Sequence, residues 1–140
     1  MTCVVDASVA VKWFVEEPRS PAACDLLIRG EVLIAPDLLL IEASNTAWKK
    51  VKRDEMTQEQ GEAMVRALPF YFDRLVHTDA LIIRAYALAH RLAHPVYDCL
   101  YLVLAEQESI QLITDDHRLI KAVSRTEFRK QVRSLEGGGR

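Results

Sequence analysis

Four carboxylate positions stand where a folded chain gains little from an isolated charge. Asp6 closes the apolar run "TCVVD", and Glu42 follows the four apolar residues Leu38 to Ile41. Asp98 is the only charge between Arg91 and Glu106, in a segment apolar nearly all round, and the pair Asp115 and Asp116 ends "QLITDD". Each has a local explanation: Asp6 can cap a helix, worth about 1 kcal/mol, Glu42 can sit on a polar face, and Asp98 can answer a helix dipole. Gathered in one cleft they would need more, because two carboxylates about 4 Å apart repel by roughly 4 kcal/mol at an effective dielectric of 20. A hard divalent cation such as Mg²⁺ or Mn²⁺ removes that cost, and no Cys or His constellation is read as competing for a softer metal. The chemistry such a site favours is phosphodiester hydrolysis.

Something must bring the acids together. Short apolar runs at 2–6, 32–36, 74–78 and 111–114, with a possible last one at 131–135, read as strands. Their hydrophobicity is continuous rather than alternating, as in parallel strands covered on both faces. Helical patterns lie between them, at about 20–30, 37–53, 57–68, 79–92, 96–108 and 116–125. Their starts are marked by Pro36-Asp37, by Thr57 with Gln60 as a capping box, and by Thr78-Asp79. The expected fold is an α/β/α sandwich around a mostly parallel sheet of four to five strands. In such sheets ligands gather outside the carboxyl ends of strands where strand order reverses, and Asp6, Asp115 and Asp116 all lie at strand ends. Within 37–53, helical spacing aligns Glu42, Asn45, Thr46 and Lys49 on one stripe and Ile41, Ser44, Trp48 and Val51 on another. The first stripe is either a solvent face or a carboxylate and an amide aimed into a cleft.

The stretches "VVDAS", "PDLLLIEASNTAWK", "VYDCLYLVLAE" and "LITDDHRL", in that order and covering essentially the whole chain, resemble the motif regions of the PIN-domain nucleases, in particular the VapC toxins of VapBC toxin–antitoxin modules. The resemblance implies a Rossmann-like PIN fold over residues 1–135, and the ending "SLEGGGR" reads as a flexible tail, 136–140. The resemblance assigns Asp6, Glu42, Asp98 and Asp116 as the catalytic and metal-binding acids, Asp6 and Asp98 foremost. Ser8, Asn45 and Thr114 fall on supporting positions. The implied activity is Mg²⁺- or Mn²⁺-dependent endoribonuclease action on tRNA, rRNA or mRNA, held in check by a VapB antitoxin whose C-terminal segment lies across the groove. A homodimer is also implied. In the fourth motif Thr114 and Asp116 are the matched pair; Asp115 is a neighbour whose charge is expected to tune the site.

Other readings are weaker. A haloacid-dehalogenase-type phosphatase wants a second Asp where Ser8 stands, and a receiver domain wants an acidic pair at the first strand's end, where Asp6 is alone. A PIN fold kept for binding RNA or an antitoxin without turnover is opposed by the presence of all four acids. His90 and His94, four apart, have a zinc-like spacing but no third ligand nearby, and read as side chains at a helix C-terminus that answer its dipole. His117 reads as a solvated first-turn residue, and Trp13, Phe14, Phe70, Tyr71 and Phe72 as core before interface.

Composition reads as that of a soluble globular protein rather than a disordered or fibrous one: half the residues are hydrophobic, 27% are charged and the net charge is -2. That balance hides a segregation, since residues 118–140 carry +5 and residues 1–117 carry -7, with a second basic cluster, "KKVKR", at 49–53. Such segregation either steers a polyanion toward an acidic site or reflects solvated helix faces. Cys3, Cys24 and Cys99 are odd in number and sit in apolar contexts, as expected of reduced residues in a cytoplasmic protein. "MTCVVDASVAVKWF" has no basic n-region and is broken by Asp6 and Lys12, so a signal peptide is not expected, nor is a membrane span.

Overall fold

A computed structural model describes residues 1–135; the expected tail at 136–140 lies outside the described residues. Five strands form one sheet: β1 (Thr2–Val5), β2 (Val32–Pro36), β3 (Arg74–Val76), β4 (Gln111–Thr114) and β5 (Val132–Ser134). Every pairing is parallel and the order is β3-β2-β1-β4-β5. The central strands β1, β2 and β4 are buried over nearly their whole length, whereas β3 and β5, at the edges, are only half-buried. That contrast is why the three central runs are continuously apolar and the two edge strands mix in charge.

Seven α-helices are present among the described residues: α1 (Ala7–Ala10), α2 (Ser20–Ile28), α3 (Leu38–Lys52), α4 (Gln58–Ala67), α5 (Ile82–Leu92), α6 (Val96–Glu108) and α7 (His117–Val123). The first two crossovers step outward from β1 to β2 to β3, and the next returns across the sheet to β4, on β1's other side. Right-handed crossovers running in opposite directions fall on opposite faces, so helices cover both sides of the sheet. α6 packs on β1, β2 and β4. Its residues Cys99 to Ala105 are all buried, which accounts for a segment apolar all round. No helix of the described residues is long and apolar enough to cross a membrane.

Local signals place the helix ends as the chemistry of their side chains dictates. Thr57 accepts from the Gln60 backbone at 3.1 Å while Gln60 accepts from the Thr57 backbone at 2.8 Å, a complete capping box. Asp37 and Thr78 do otherwise. Asp37 does not cap α3 with its carboxylate; it accepts from the Thr78 backbone at 3.1 Å and from the Thr78 hydroxyl at 2.5 Å, tying the end of β2 to the end of β3. With Thr78 so engaged, a 3₁₀ turn at Thr78–Ala80 precedes α5, which begins at Ile82.

Of the five aromatic residues expected in the core, Phe72 is buried, and Trp13 and Phe14 are half-buried. Trp13 stacks on Tyr71 at 5.4 Å and lies 5.8 Å from Phe72, and Phe14 meets Tyr71 edge-on at 5.3 Å. Trp13 Nε1 donates to the Ala23 carbonyl at 2.9 Å, so the indole's polar handle is satisfied. Phe70 and Tyr71 depart from the core expectation, Phe70 being 89% exposed and Tyr71 38%. Cys3 and Cys99 are buried and free, and burial pushes both thiols up to about 11, leaving them unreactive.

Candidate active site

Strand order reverses between β1 and β4, and the site lies at the carboxyl ends of these two strands. Register does the positioning: Val5 pairs with Ile113, so the next residues, Asp6 and Thr114, come side by side. The Thr114 hydroxyl donates to Asp6 Oδ2. The Ser8 hydroxyl donates to Asp6 Oδ1 at 2.5 Å and accepts from the Asp115 backbone at 3.0 Å, lacing the two strand ends together. Asp6 also accepts from the Val9 backbone at 3.3 Å. Helix capping and membership of the cluster are therefore both true of it.

α6 and α7 bring two more acids by their first turns. Asp98 stands in the first turn of α6, and Asp116 caps α7, its Oδ1 accepting from the backbones of Arg118 at 3.0 Å and Leu119 at 3.4 Å. Asp116 is held at its own backbone by Thr114 Oγ1, which accepts from it at 2.9 Å. Thr114 thus serves both strand-end acids. Glu42 reaches the same groove from α3, where the buried Tyr101 hydroxyl donates to its Oε1 at 2.5 Å. All four acids line one groove of about 470 Å³, and the stripe Glu42, Asn45, Thr46 and Lys49 lines it too. The stripe faces a cleft rather than open solvent.

Electrostatics mark the cluster as unbalanced. Among the described residues none of the four acids is paired with a Lys or Arg. Burial pushes the Asp6 carboxyl up to about 7, with the neighbouring Asp98 charge adding to the shift and the hydroxyls of Ser8 and Thr114 opposing it. Burial also raises Glu42 and Asp98, assisted by like charge from Asp98 and Asp116 on the first and from Asp116 on the second. Tyr101 is driven well above the ordinary phenol value by burial and by the Glu42 charge, so it stays a hydrogen-bond donor. Oxygen donors in this density, short of cations, fit a hard divalent ion.

Three residues depart from the sequence reading. Asp115 is not a tuning charge beside the acids: it pairs with Arg19 at 2.7 Å and with Lys12 at 3.3 Å. Lys12, 7% exposed, also meets Glu17 at 3.2 Å, and Glu17 meets Lys50 at 2.6 Å. The hydrogen bonds and charges of Arg19 and Lys12 outweigh burial and hold the Asp115 carboxyl below its ordinary range. Its ion pairs make it a structural tie, and they account for two adjacent aspartates at one strand end.

His94 is the second departure. It does not pair with His90 or sit in the last turn of a helix, since α5 stops at Leu92 and His90 turns edge-on to Tyr86 at 4.6 Å. His94 Nε2 is hydrogen-bonded to Asp98 Oδ2 at 2.6 Å, and donor atoms of His94, Asp98 and Asp116 all lie within 4.8 Å of one another. The sequence clue was the His94–Asp98 spacing of four, hidden by reading the histidines as a pair. Tyr101, the third, was missed because an aromatic in an apolar helix reads as core; its position three after Asp98 was the available signal. His117 is exposed, as expected.

Basic side chains line the same groove. Lys49 and Arg53, both exposed, line it from the end of α3 and have no carboxylate partner among the described residues, while Lys12 and Lys50 are committed to Glu17.

A family model described as the PIN domain matches residues 3–125. The chain belongs to the PIN-domain family. This PIN domain is 34% identical over 121 residues to the ribonuclease VapC1 of Mycobacterium tuberculosis, covering 86% of the chain and 90% of the relative. It is equally identical, over 121 residues, to the ribonuclease VapC3 of Pyrobaculum aerophilum, covering 85% and 92%. Among solved structures it superposes on PAE2754 of Pyrobaculum aerophilum with a TM-score of 0.68 at 18% identity, covering 97% and 93% of the two chains. It also superposes on VapC20 of Mycobacterium tuberculosis, a sarcin–ricin-loop cleaving toxin, with a TM-score of 0.66 at 17% identity, covering 86% and 94%. A third match is VapBC2 of Rickettsia felis bound to a promoter DNA fragment, with a TM-score of 0.65 at 13% identity, covering 96% and 98%. At these identities the structural matches speak for the fold.

Proposed function

We propose that this PIN domain is the toxin of a VapBC-type toxin–antitoxin pair, an endoribonuclease dependent on Mg²⁺ or Mn²⁺ and restrained by a VapB-type antitoxin. The observation that carries the reading is the convergence of Asp6, Glu42, Asp98 and Asp116 in one groove at the strand-order reversal, in a chain 34% identical to two ribonucleases. Those four acids hold the cation. A bound divalent cation supplies a more acidic water and stabilises charge on a phosphodiester oxygen.

The chain's own groups do the rest. Ser8 and Thr114 donate to opposite oxygens of Asp6 and fix its plane, and Tyr101 does the same for Glu42 on one oxygen. Asp116 spends one oxygen on α7, and its side chain lines the groove beside Asp98. Asn45 offers an amide to the groove, and Lys49 and Arg53, which also line it, meet RNA phosphates. Basic side chains beside the acids orient a polyanion so that the scissile phosphate falls at the carboxylate cluster and its neighbours at the lysine and arginine. Pairing as a homodimer is supported by Ile83 and Tyr86, one turn apart on α5 and 86% and 59% exposed.

The test is cleavage of structured RNA and mRNA by the purified chain with Mg²⁺ or Mn²⁺, with EDTA, and by Asp98→Asn. Cleavage by the wild type alone, and only with metal, is expected. Equal cleavage by Asp98→Asn would sink the assignment of activity to this groove.

A further inference from the structure

His94 sits in neither of the helices it joins. Ala93 adopts a left-handed conformation (φ 51°) that ends α5, the His94 backbone N–H donates to the Ala89 carbonyl at 3.1 Å, and Pro95 opens α6 with φ -57°. A three-residue link pinned at both ends leaves the imidazole little freedom. Its side chain is only 9% exposed, and it points into the acid cluster. A solvated helix-end histidine has none of these constraints.

The contacts it makes are those of a ligand set. Nε2 lies 2.6 Å from Asp98 Oδ2, and Asp116 completes a group of three donors within 4.8 Å. Two donors on one cation, with bonds of about 2.1 Å at a right angle, stand about 3 Å apart. The His94–Asp98 pair therefore needs to open by only a few tenths of an ångström. The set differs from an all-carboxylate site in kind: Mg²⁺ takes oxygen and gains little from imidazole, whereas first-row transition cations bind imidazole nitrogen well.

The geometry points to His94 as a nitrogen ligand of the metal site, beside Asp98 and Asp116, that biases the site toward a first-row transition cation over Mg²⁺. This rests on the four-carboxylate reading above and adds a fifth residue to it. It also concerns binding in the absence of RNA, so activity is not its readout.

The experiment is calorimetric titration of the whole chain, without RNA, with MgCl₂ and separately with CoCl₂, and the visible absorption of the Co²⁺ complex as a second readout. Wild type is compared with His94→Gln, which keeps a hydrogen-bond donor for Asp98 but removes the imidazole, and with Asp98→Asn. His94→Gln is expected to weaken Co²⁺ by about tenfold or more while Mg²⁺ changes by less than about threefold, and to alter the Co²⁺ spectrum. Parallel loss of both metals would show that His94 only orients Asp98, and loss of neither that it stands outside the site; either result overturns the inference. Asp98→Asn is expected to lose both metals, and if it keeps both, the four-carboxylate reading itself fails, a separate outcome. If His94→Gln does not fold, His94→Asn carries the same comparison.

Discussion

Asp6→Asn is expected to make the metal-free protein more stable above neutral pH, because the native fold holds this carboxylate at a cost. Asp6 is 4% exposed, and its carboxyl moves from an ordinary 3.8 to about 7, chiefly through burial. At 1.36 kcal/mol per pH unit that corresponds to about 4 kcal/mol. The folded pKa is the higher one, so the stability from this group is fully present below about pH 4 and is lost as pH rises through about 7. Asp115 and Glu17, held below their ordinary values by Lys and Arg partners, act in the opposite sense and at lower pH, so the window from 4 to 7 belongs to the raised acids. Asparagine fits the same contacts: its carbonyl faces the Ser8 hydroxyl and the Val9 N–H, and its amide donates to Thr114 Oγ1. The Thr114 hydroxyl proton then loses its acceptor, worth about 1 kcal/mol, so a net gain of about 2 to 3 kcal/mol is expected at pH 8. Urea unfolding in EDTA from pH 4 to 9 measures it, with the difference between wild type and variant growing across the window. Added Mg²⁺ should stabilise the wild type and do little for the variant. A variant no more stable than wild type at pH 8, or a difference independent of pH, would refute the reasoning.

The two adjacent aspartates should separate by function. Asp116→Asn should abolish RNA cleavage with the fold intact, whereas Asp115→Asn should cost about 3 kcal/mol, because it strips the buried Lys12 of a partner, and leave cleavage per folded molecule largely unchanged; cleavage and urea midpoints measured together test both. Tyr101→Phe removes the donor to Glu42 and should cost about 1 kcal/mol in denaturant unfolding and lower cleavage at constant protein, with the acid limb of the pH–rate profile moved upward as Glu42 becomes harder to ionise. Lys49→Ala and Arg53→Ala should each weaken binding of non-cleavable RNA without preference for sequence, and each should reduce the salt dependence of log Kd by about one ion. An unchanged salt slope would remove them from the phosphate path.

Much of the site was legible in the chain because its determinants are local. Buried parallel strands need continuous apolar runs, so their ends, with Asp6 at one and the pair Asp115 and Asp116 at another, could be read directly, while the choice of Asp116 within the pair came from the resemblance; helical spacing likewise put Glu42, Asn45 and Lys49 on the face that lines the groove. An aspartate alone in an apolar helix announced itself as Asp98. These are effects of a few neighbouring residues, which composition and periodicity carry.

What only the tertiary structure decided are the partnerships between distant residues. Thr114 lies 108 positions from Asp6, Arg19 lies 96 from Asp115, and Tyr101 lies 59 from Glu42. No local pattern encodes these pairs, because they exist only once the chain crosses back over the sheet and β4 settles beside β1. The same holds for His94, whose part in the cluster depends on the break between α5 and α6 turning its side chain toward Asp98. The sequence alone determined which residues would be charged at strand and helix ends; the strand order determined which of those charges meet without a lysine or arginine beside them, and which, like Asp115, find both. Side-chain periodicity is set by backbone geometry within a few residues, whereas the company a charge keeps is set by topology.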